Sequence, residues 1–445
     1  MFYNSIIAES LSKLNSSFND YLSIEKLETY CVKSGLKWRK RILTPARTIN
    51  LFLLQILHKN TSCSHVRHLG GGDFSTMGYC KARFRLPVSL MEMLFEGLCK
   101  DLLDHGATLW KGHRIWLVDG TGCSMPDTPS LRKHFGQPGG QKEGCGFPVT
   151  SALVLIDATT GMVRKLLASA LRTRDISQFV EIHPELEKGD IVVGDRGFCS
   201  FAQLMLLSNR GVHAVFRVAA SLGVDFRKVQ RNTGSERIFV RGSRIKKLGK
   251  TDQLLYWQKT SYLPKWMSRE QFSSLLDSIV VRELRYKLNK KGFRSNEITI
   301  VTTLIDPILY SKTEIAKLYG LRWEIETNIR YLKTTLGMDT LHSKTVNGVI
   351  KELFAFCIIY NLVRLIMMEA ARKLKVDPSR ISFVDAMRYF LTSFAMPIEK
   401  IIKNPIRTGR KSPRVVKRRP KAFPRMTKPR NTFKGFNPTE QAILA

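Results

Sequence analysis

Between residues 114 and 220 the chain alternates short, apolar, β-branched runs with turn residues and helical stretches, and this rhythm restricts the fold more than any other feature. "RIWLVDGT" ends in Asp and Gly, while "FPVTSALVLIDA" and "VRKLLASAL" are two further runs parted by the turn-like "TTG". "ISQFVEIHPEL" then reads as helix. "DIVVGDRGF" is a buried-looking strand that ends in another Asp before Gly, followed by the helical "SFAQLMLLSNRG" and the strand-like "HAVFRVAA". Such a succession predicts a mixed sheet covered by helices, an α/β fold.

The flanking regions read differently. Residues 1 to about 110 are helical, with a Thr-Pro start at 44–45 and a break at Gly70 to Gly72. The last helix there carries Lys81, Arg83 and Arg85 beside Tyr79 and Phe84, a mixture that fits a DNA groove or a solvated basic face. Residues 221 to about 296 interrupt the rhythm with short alternating runs, a β-rich insertion. "EITIVTTLID" returns to strand, and helices are expected over 311–336, 346–375 and 379–394. "LFAFCIIYNLVRLIMM" (353–368) is the most apolar stretch, but Asn361 and Arg364 interrupt it and it is short for a membrane span. A buried helix, with no membrane partner, is the expectation.

Lys and Arg number 72 against 37 acidic residues, a net charge of +35, which is the footprint of a polyanion-binding protein. The segment from 401 onward holds thirteen Lys and Arg and one acidic residue, and is expected to stay unstructured until it meets a polyanion. Eight cysteines are scattered singly, without a C-x-x-C pair, so neither a disulfide framework nor a structural zinc site is indicated and a reducing cytoplasm fits. "MFYNSIIAESLSKLN" lacks the marks of a secretory signal. No G-x-S-x-G or P-loop pattern occurs, which argues against serine-hydrolase chemistry and ATP dependence.

"LYGLRWEIETNIRYLK" (318–333) is the most chemically loaded stretch. At about 100° per residue, Tyr319, Arg322, Glu326, Arg330 and Lys333 share one narrow stripe. Leu318, Leu321, Ile325, Ile329, Leu332 and Leu336 form an adjoining stripe that would anchor the helix to a core, and Glu324 points away from both. Glu326 is therefore the glutamate placed for chemistry. One glutamate does little phosphoryl chemistry alone, because a divalent cation needs oxygen ligands from several elements. Asp119 and Asp195 both end strand-like runs, where open α/β sheets place functional side chains, although Asp-Gly is also common in turns. Asp157, in a hairpin turn, and Asp127, in a loop, are weaker candidates. Three converging carboxylates would repel one another unless cations sat between them. Two Mg²⁺ ions roughly 3.5–4 Å apart would activate water or a 3′-hydroxyl and stabilise the leaving oxygen.

"DGT" at 119, "DRGF" at 195 and the spacing Y-x2-R-x3-E-x6-K over Tyr319, Arg322, Glu326 and Lys333 resemble the signature of DDE transposases of insertion-sequence family four, the family of the Tn-five and Tn-ten transposases. The similarity extends to "YCKARFRLP", "VTTLIDP" and "RWEIE", so it spans roughly residues 75 to 345. The resemblance implies a ribonuclease H-like core with a β-rich insertion before the glutamate helix. It implies a helical DNA-binding domain over 1–110, a catalytic domain over 111–345 with its insertion at about 221–296, C-terminal helices over 346–400 suited to dimerisation, and a basic flexible tail over 401–445. Asp119, Asp195 and Glu326 become a metal-binding catalytic triad for two Mg²⁺ ions, with Mn²⁺ able to substitute. Tyr319, Arg322 and Lys333 would hold phosphates and stabilise a flipped-out base, supported by Arg330 and by Lys81, Arg83 and Arg85. Trp257 or Trp266 would stack on that base. The implied activity is cut-and-paste transposition through a hairpin intermediate. Its partners are double-stranded DNA, as terminal inverted repeats and target, and a second copy of the chain in the bacterial cytoplasm at the nucleoid. Two other readings stand beside it: a non-catalytic DNA-binding protein derived from a transposase, and a nuclease or recombinase whose nucleophile is Tyr319 or Tyr331.

Overall fold

A computed structural model of the protein describes residues 22–39, 41–102, 107–139, 144–173, 175–219, 222–227, 230–233, 240–287, 297–392, 396–405 and 423–432. Five helices come first: α1 (Ile24–Lys33), α2 (Pro45–Leu57), α3 (Cys63–Leu69), α4 (Thr76–Arg85) and α5 (Val88–Leu102). The first four start on Ser23, Thr44, Ser62 and Ser75, whose hydroxyls accept N–H groups that have no partner within the helix. The basic helix of the sequence is α4, and α5 follows it, so it is not the last of the group.

The α/β succession then follows: β1 (Ile115–Ser124), α6 (Pro129–Phe135), β2 (Val149–Asp157), β3 (Val163–Ala170), α7 (Asp175–Ile182), β4 (Ile191–Gly194), α8 (Phe201–Asn209) and β5 (His213–Arg217). The insertion supplies β6 (Gln230–Thr233), β7 (Val240–Gly249), β8 (Asp252–Gln258), the short α9 (Arg269–Ser273) and β9 (Ser278–Lys287). The chain returns through β10 (Glu297–Thr302) and closes with α10 (Lys312–Gly320), α11 (Arg322–Arg330), α12 (Val346–Leu374) and α13 (Phe383–Leu391). All ten strands form one sheet in the order β3-β2-β1-β4-β5-β10-β9-β8-β7-β6. The β1–β4 and β4–β5 pairs are parallel and the other pairs antiparallel. The insertion is thus β-rich, and it lengthens the sheet of the core. Arg282 fastens it there, donating to both oxygens of Asp252 at 2.8 and 2.6 Å and to the Tyr310 carbonyl at 2.6 Å, with all of these groups out of solvent.

Alternation along β1 sorts its residues between two apolar layers. Leu117 and Cys123 join the layer that contains α2, α5, α12 and α13. Trp116 and Val118 face the layer that contains α7 and α8. The helix α12 lies inside the first layer, and its apolar window is wholly buried. The two residues that break its apolar run are its tethers. Asn361 accepts from Val163 N–H and donates to the Val163 carbonyl, both at 2.8 Å, while Arg364 donates to the Thr160 carbonyl at 2.8 and 2.6 Å. They satisfy the end of edge strand β3 and the turn before it, groups that burial would otherwise leave unpaired.

The basic tail departs from expectation. Phe423 to Thr432 are seated against the core, where Met426 N–H donates to the Cys145 carbonyl at 2.8 Å. Arg430, 8% exposed, donates to Asp127 Oδ2 and Oδ1 at 2.6 Å each and to the Gly144 carbonyl at 2.6 Å. A charge complement that composition cannot reveal, an acidic loop residue some three hundred positions upstream, orders this part of the tail. Residues 406–422 and 433–445 lie outside the described residues.

Candidate active site

The register of two parallel strands sets the first pair of carboxylates. Val118 on β1 pairs with Gly194, the last residue of β4, so the next residues, Asp119 on β1 and Asp195 just past the end of β4, follow side by side, neighbouring strands being spaced about 4.8 Å. β1 does not end at Asp119, as the sequence predicts, but runs on beside β2 to Ser124. The strand that ends is β4, and a crevice opens where Asp195 leaves the sheet. Asp119 Oδ1 accepts its neighbour's N–H from Gly120 at 2.9 Å, and Asp195 Oδ1 accepts from Gly197 at 2.6 Å.

The helix α11 crosses β1 and brings the third carboxylate. Burial pushes the Asp119 carboxyl up to about 6, and the negative charges of Asp195 and Glu326 add to this while Arg322 opposes it. All three acids therefore share one electrostatic neighbourhood. Glu326 is turned toward Arg322 one helical turn back, at 2.7 Å. Among the described residues, no three acidic, His or Cys side chains are placed closely enough to hold one metal ion. The close three-way meeting of oxygens expected from the sequence is approached by Asp119 and Asp195, while Glu326 is held aside by an arginine.

The apolar stripe predicted for this region is buried at Leu318, Ile325, Ile329, Leu332 and Leu336. The continuous helix is not present: α10 ends at Gly320, Leu321 makes the turn, and residues Tyr331–Thr335 form a π-helical turn. The pitch therefore changes before Lys333, whose charge falls near the buried Cys123, on the same face of β1 as Asp119. Arg330 is exposed, with its guanidinium over the Tyr331 ring. Glu324 is half-buried on the other side, near Arg364. Tyr319 is 4% exposed, its hydroxyl pushed up to about 12 by burial, with Arg322 and Arg217 opposing that rise.

Other candidates fall away from this cluster. Arg83 turns inward, donating to Gln55 at 2.8 Å and lying over Phe52, while Lys81, Phe84 and Arg85 stay exposed. Tyr79 and Arg83 stand one helical turn apart and share the inner face, so the basic set of α4 is divided rather than presented together. Trp257 is fully buried and donates to Glu283 at 2.9 Å, so it offers no free ring face, while Trp266 is partly buried against the second apolar layer. Asp157 accepts from the N–H groups of Thr159 and Thr160 and pairs with Arg114, the duties of a turn residue. Asp127 is taken by Arg132 and Arg430. Sequence reasoning missed Arg217 at the end of β5 and Tyr286 on β9, whose charges and rings neighbour Tyr319 and Arg322. An arginine closing an apolar strand beside the strand of Asp195 was the available signal for Arg217, whereas Tyr286 lay in the insertion and carried none.

Residues 110–362 match the family described as "Transposase DDE domain". The chain is 25% identical over 447 aligned positions, 94% of its length and 95% of the relative's, to the transposase InsG for insertion sequence element IS4 of Escherichia coli strain K12. It is 36% identical over 88 residues, 20% of its length and 22% of the relative's, to a probable transposase for insertion sequence element IS5377 of Geobacillus stearothermophilus. Among solved structures, a piggyBac transposase synaptic complex with hairpin DNA aligns over 91% of this chain and 86% of that one, at 10% identity and a TM-score of 0.40. Nothing about this chain follows from a likeness that loose.

Proposed function

The chain belongs to the transposase DDE domain family and is an insertion-sequence transposase, and from that premise we propose that Asp119, Asp195 and Glu326 are the residues that carry its phosphoryl transfer on DNA. The observation that carries the reading is the register of β1 and β4, which sets Asp119 beside Asp195 within electrostatic reach of Glu326. The strand order β3-β2-β1-β4-β5, with β1, β4 and β5 parallel, supports a ribonuclease H-like core for this half of the sheet.

The donor types fit the divalent cation that the family implies, since Asp119, Asp195 and Glu326 supply hard carboxylate oxygens and the charges of Asp195 and Glu326 both act on Asp119, although Glu326 must leave Arg322 to join the other two. We take the ion to be Mg²⁺, with Mn²⁺ as substitute. When bound, two such ions supply Lewis-acid activation and neutralise charge on the phosphate. The protein's own groups do the rest. Arg322 would turn its two-pronged donor from Glu326 to a phosphate, with Tyr319 beside it, and Arg330 at the end of α11 and Lys333 in the π turn that follows would add positive charge. Exposed Lys81 and Arg85 on α4 offer a second contact for duplex DNA. The substrates in this reading are the element's terminal inverted repeats and target DNA, processed through a hairpin by a dimer in the bacterial cytoplasm. In this reading the N-terminal helices would act as the DNA-binding part, and of the C-terminal helices proposed for dimerisation α13 would supply the contact, since α12 is buried in the core.

The test is cleavage of end-bearing DNA by Asp119→Asn, Asp195→Asn and Glu326→Gln. Each should reduce cutting to background while binding to the same DNA persists, and retained strand transfer in any of them would overturn the triad. The nucleophilic-tyrosine alternative fares poorly because Tyr319 is buried and Tyr331 is stacked on Phe383 with ring centroids 4.4 Å apart. It requires a covalent protein–DNA adduct that forms in the presence of a chelator.

A further inference from the structure

The face of β1 opposite Asp119 is bare at Gly120, and a carboxylate fills the space. A Cβ at Gly120 would stand 2.6 Å from the carboxyl carbon of Asp175 and 2.7 Å from its Oδ1, well inside contact distance, so no larger residue fits while Asp175 keeps its place. Asp175 opens α7, where the fully buried Gln203 donates to the Ile176 carbonyl at 2.8 Å and fixes the first turn. Ser151 Oγ donates to Asp175 Oδ1 at 3.3 Å. Among the described residues Oδ2 has no hydrogen-bond partner and neither oxygen has a cationic one.

This arrangement is electrostatically unfavourable by itself. Asp175 is partly buried, and Asp195 lies close enough that its negative charge further disfavours the ionised Asp175, after burial. Among the described residues Ser151 on the neighbouring strand β2 is the one hydrogen-bond partner of the Asp175 carboxylate, and no ion pair offsets its charge. Carboxylates left against one another create a negative potential that a cation in the crevice would relieve.

We propose that Asp175 is a positioning residue for the cation site: packed on Gly120, it fixes the backbone that aims Asp119, and it adds a negative charge behind Asp195. The inference rests on the triad reading above. It places Asp175 outside the set of direct ligands, on the far side of the strand from Asp119, and it explains why β1 carries a glycine immediately after its acidic residue.

Mn²⁺ alone is the probe, with the free ion followed by paramagnetic resonance on the full chain without DNA. Asp175→Asn keeps the shape and the Ser151 contact, and should weaken Mn²⁺ binding roughly tenfold or more, as loss of a group behind metal ligands does. Its melting temperature without metal should hold or rise, because a repulsion has gone; a merely structural role would lower it and leave Mn²⁺ affinity unchanged. Ser151→Ala, which loosens the carboxylate without removing it, should weaken binding by a smaller factor and serves if Asp175→Asn fails to fold. Asp119→Asn in parallel should abolish binding. If Asp119→Asn loses Mn²⁺ while Asp175→Asn and Ser151→Ala bind as the wild type does, this inference alone is overturned; if the wild type binds none, the triad reading falls with it.

Discussion

Asp119 shows how a single residue couples stability to chemistry. Its carboxyl titrates near 6 in the fold against an ordinary 3.8, so the native state favours the protonated acid. A raised acid value means that folding is most favoured at low pH and loses stability as pH climbs from about 4 through 6. By neutral pH the loss is at most on the order of 3 kcal/mol. Asp119→Asn should therefore melt several degrees above the metal-free wild type at pH 7, and the difference should vanish near pH 4 when both are scanned by thermal unfolding. Arg322 makes the opposite kind of case. Its bridge to Glu326 is a one-turn pair with the carboxylate 42% exposed, worth about 0.5 kcal/mol or less. Arg322→Gln should leave denaturant midpoints nearly unchanged and yet depress DNA cleavage, which separates its role at the phosphate from its role in the fold.

At the scale of elements, α12 makes the clearest prediction. Asn361 satisfies both the donor and the acceptor of Val163, so Asn361→Ala should cost about 2–4 kcal/mol in equilibrium denaturation, far more than its size implies. The helix itself was legible in the sequence, its start and end agreeing within a residue, because an apolar run of that length with only Asn361 and Arg364 inside it has few other uses. The strands β1 to β5 and β10 were legible too, since β-branched runs between turn residues are a local pattern. What escaped were features whose cause is not local. The π turn at Tyr331 changes pitch where the composition stays helical, so a wheel of uniform pitch does not describe the last turn, which carries Lys333. Arg83 reads as a surface charge until α2 supplies Gln55 and Phe52 to receive it. The three acids proposed for the site were singled out by motif and spacing, whereas the Arg322 grip on Glu326 and the placement of Asp175 depend on side-chain positions that no spacing encodes.

For the molecule as a whole, the strap from Phe423 to Thr432 decides how the acidic edge is finished. Arg430 neutralises Asp127 and takes up the Gly144 and Gly146 carbonyls, while the Phe423 ring covers Gly122 on β1 at 3.1 Å from where a Cβ would be. Arg430→Ala should lower stability by roughly 3 kcal/mol, the usual loss when one partner of a buried pair is removed. Pairing it with Asp127→Asn should recover part of that loss in a double-mutant cycle. Removal of residues 423–445 should lower the melting temperature at least as far. There is a genetic corollary. A gene copy interrupted between codons 405 and 430 would still encode Asp119, Asp195 and Glu326, the three acids proposed for catalysis, and would pass as intact on inspection of its motifs. Its product would nonetheless leave the loop at Asp127 unlatched, so mobility of such copies would be lost without a single change at the catalytic positions.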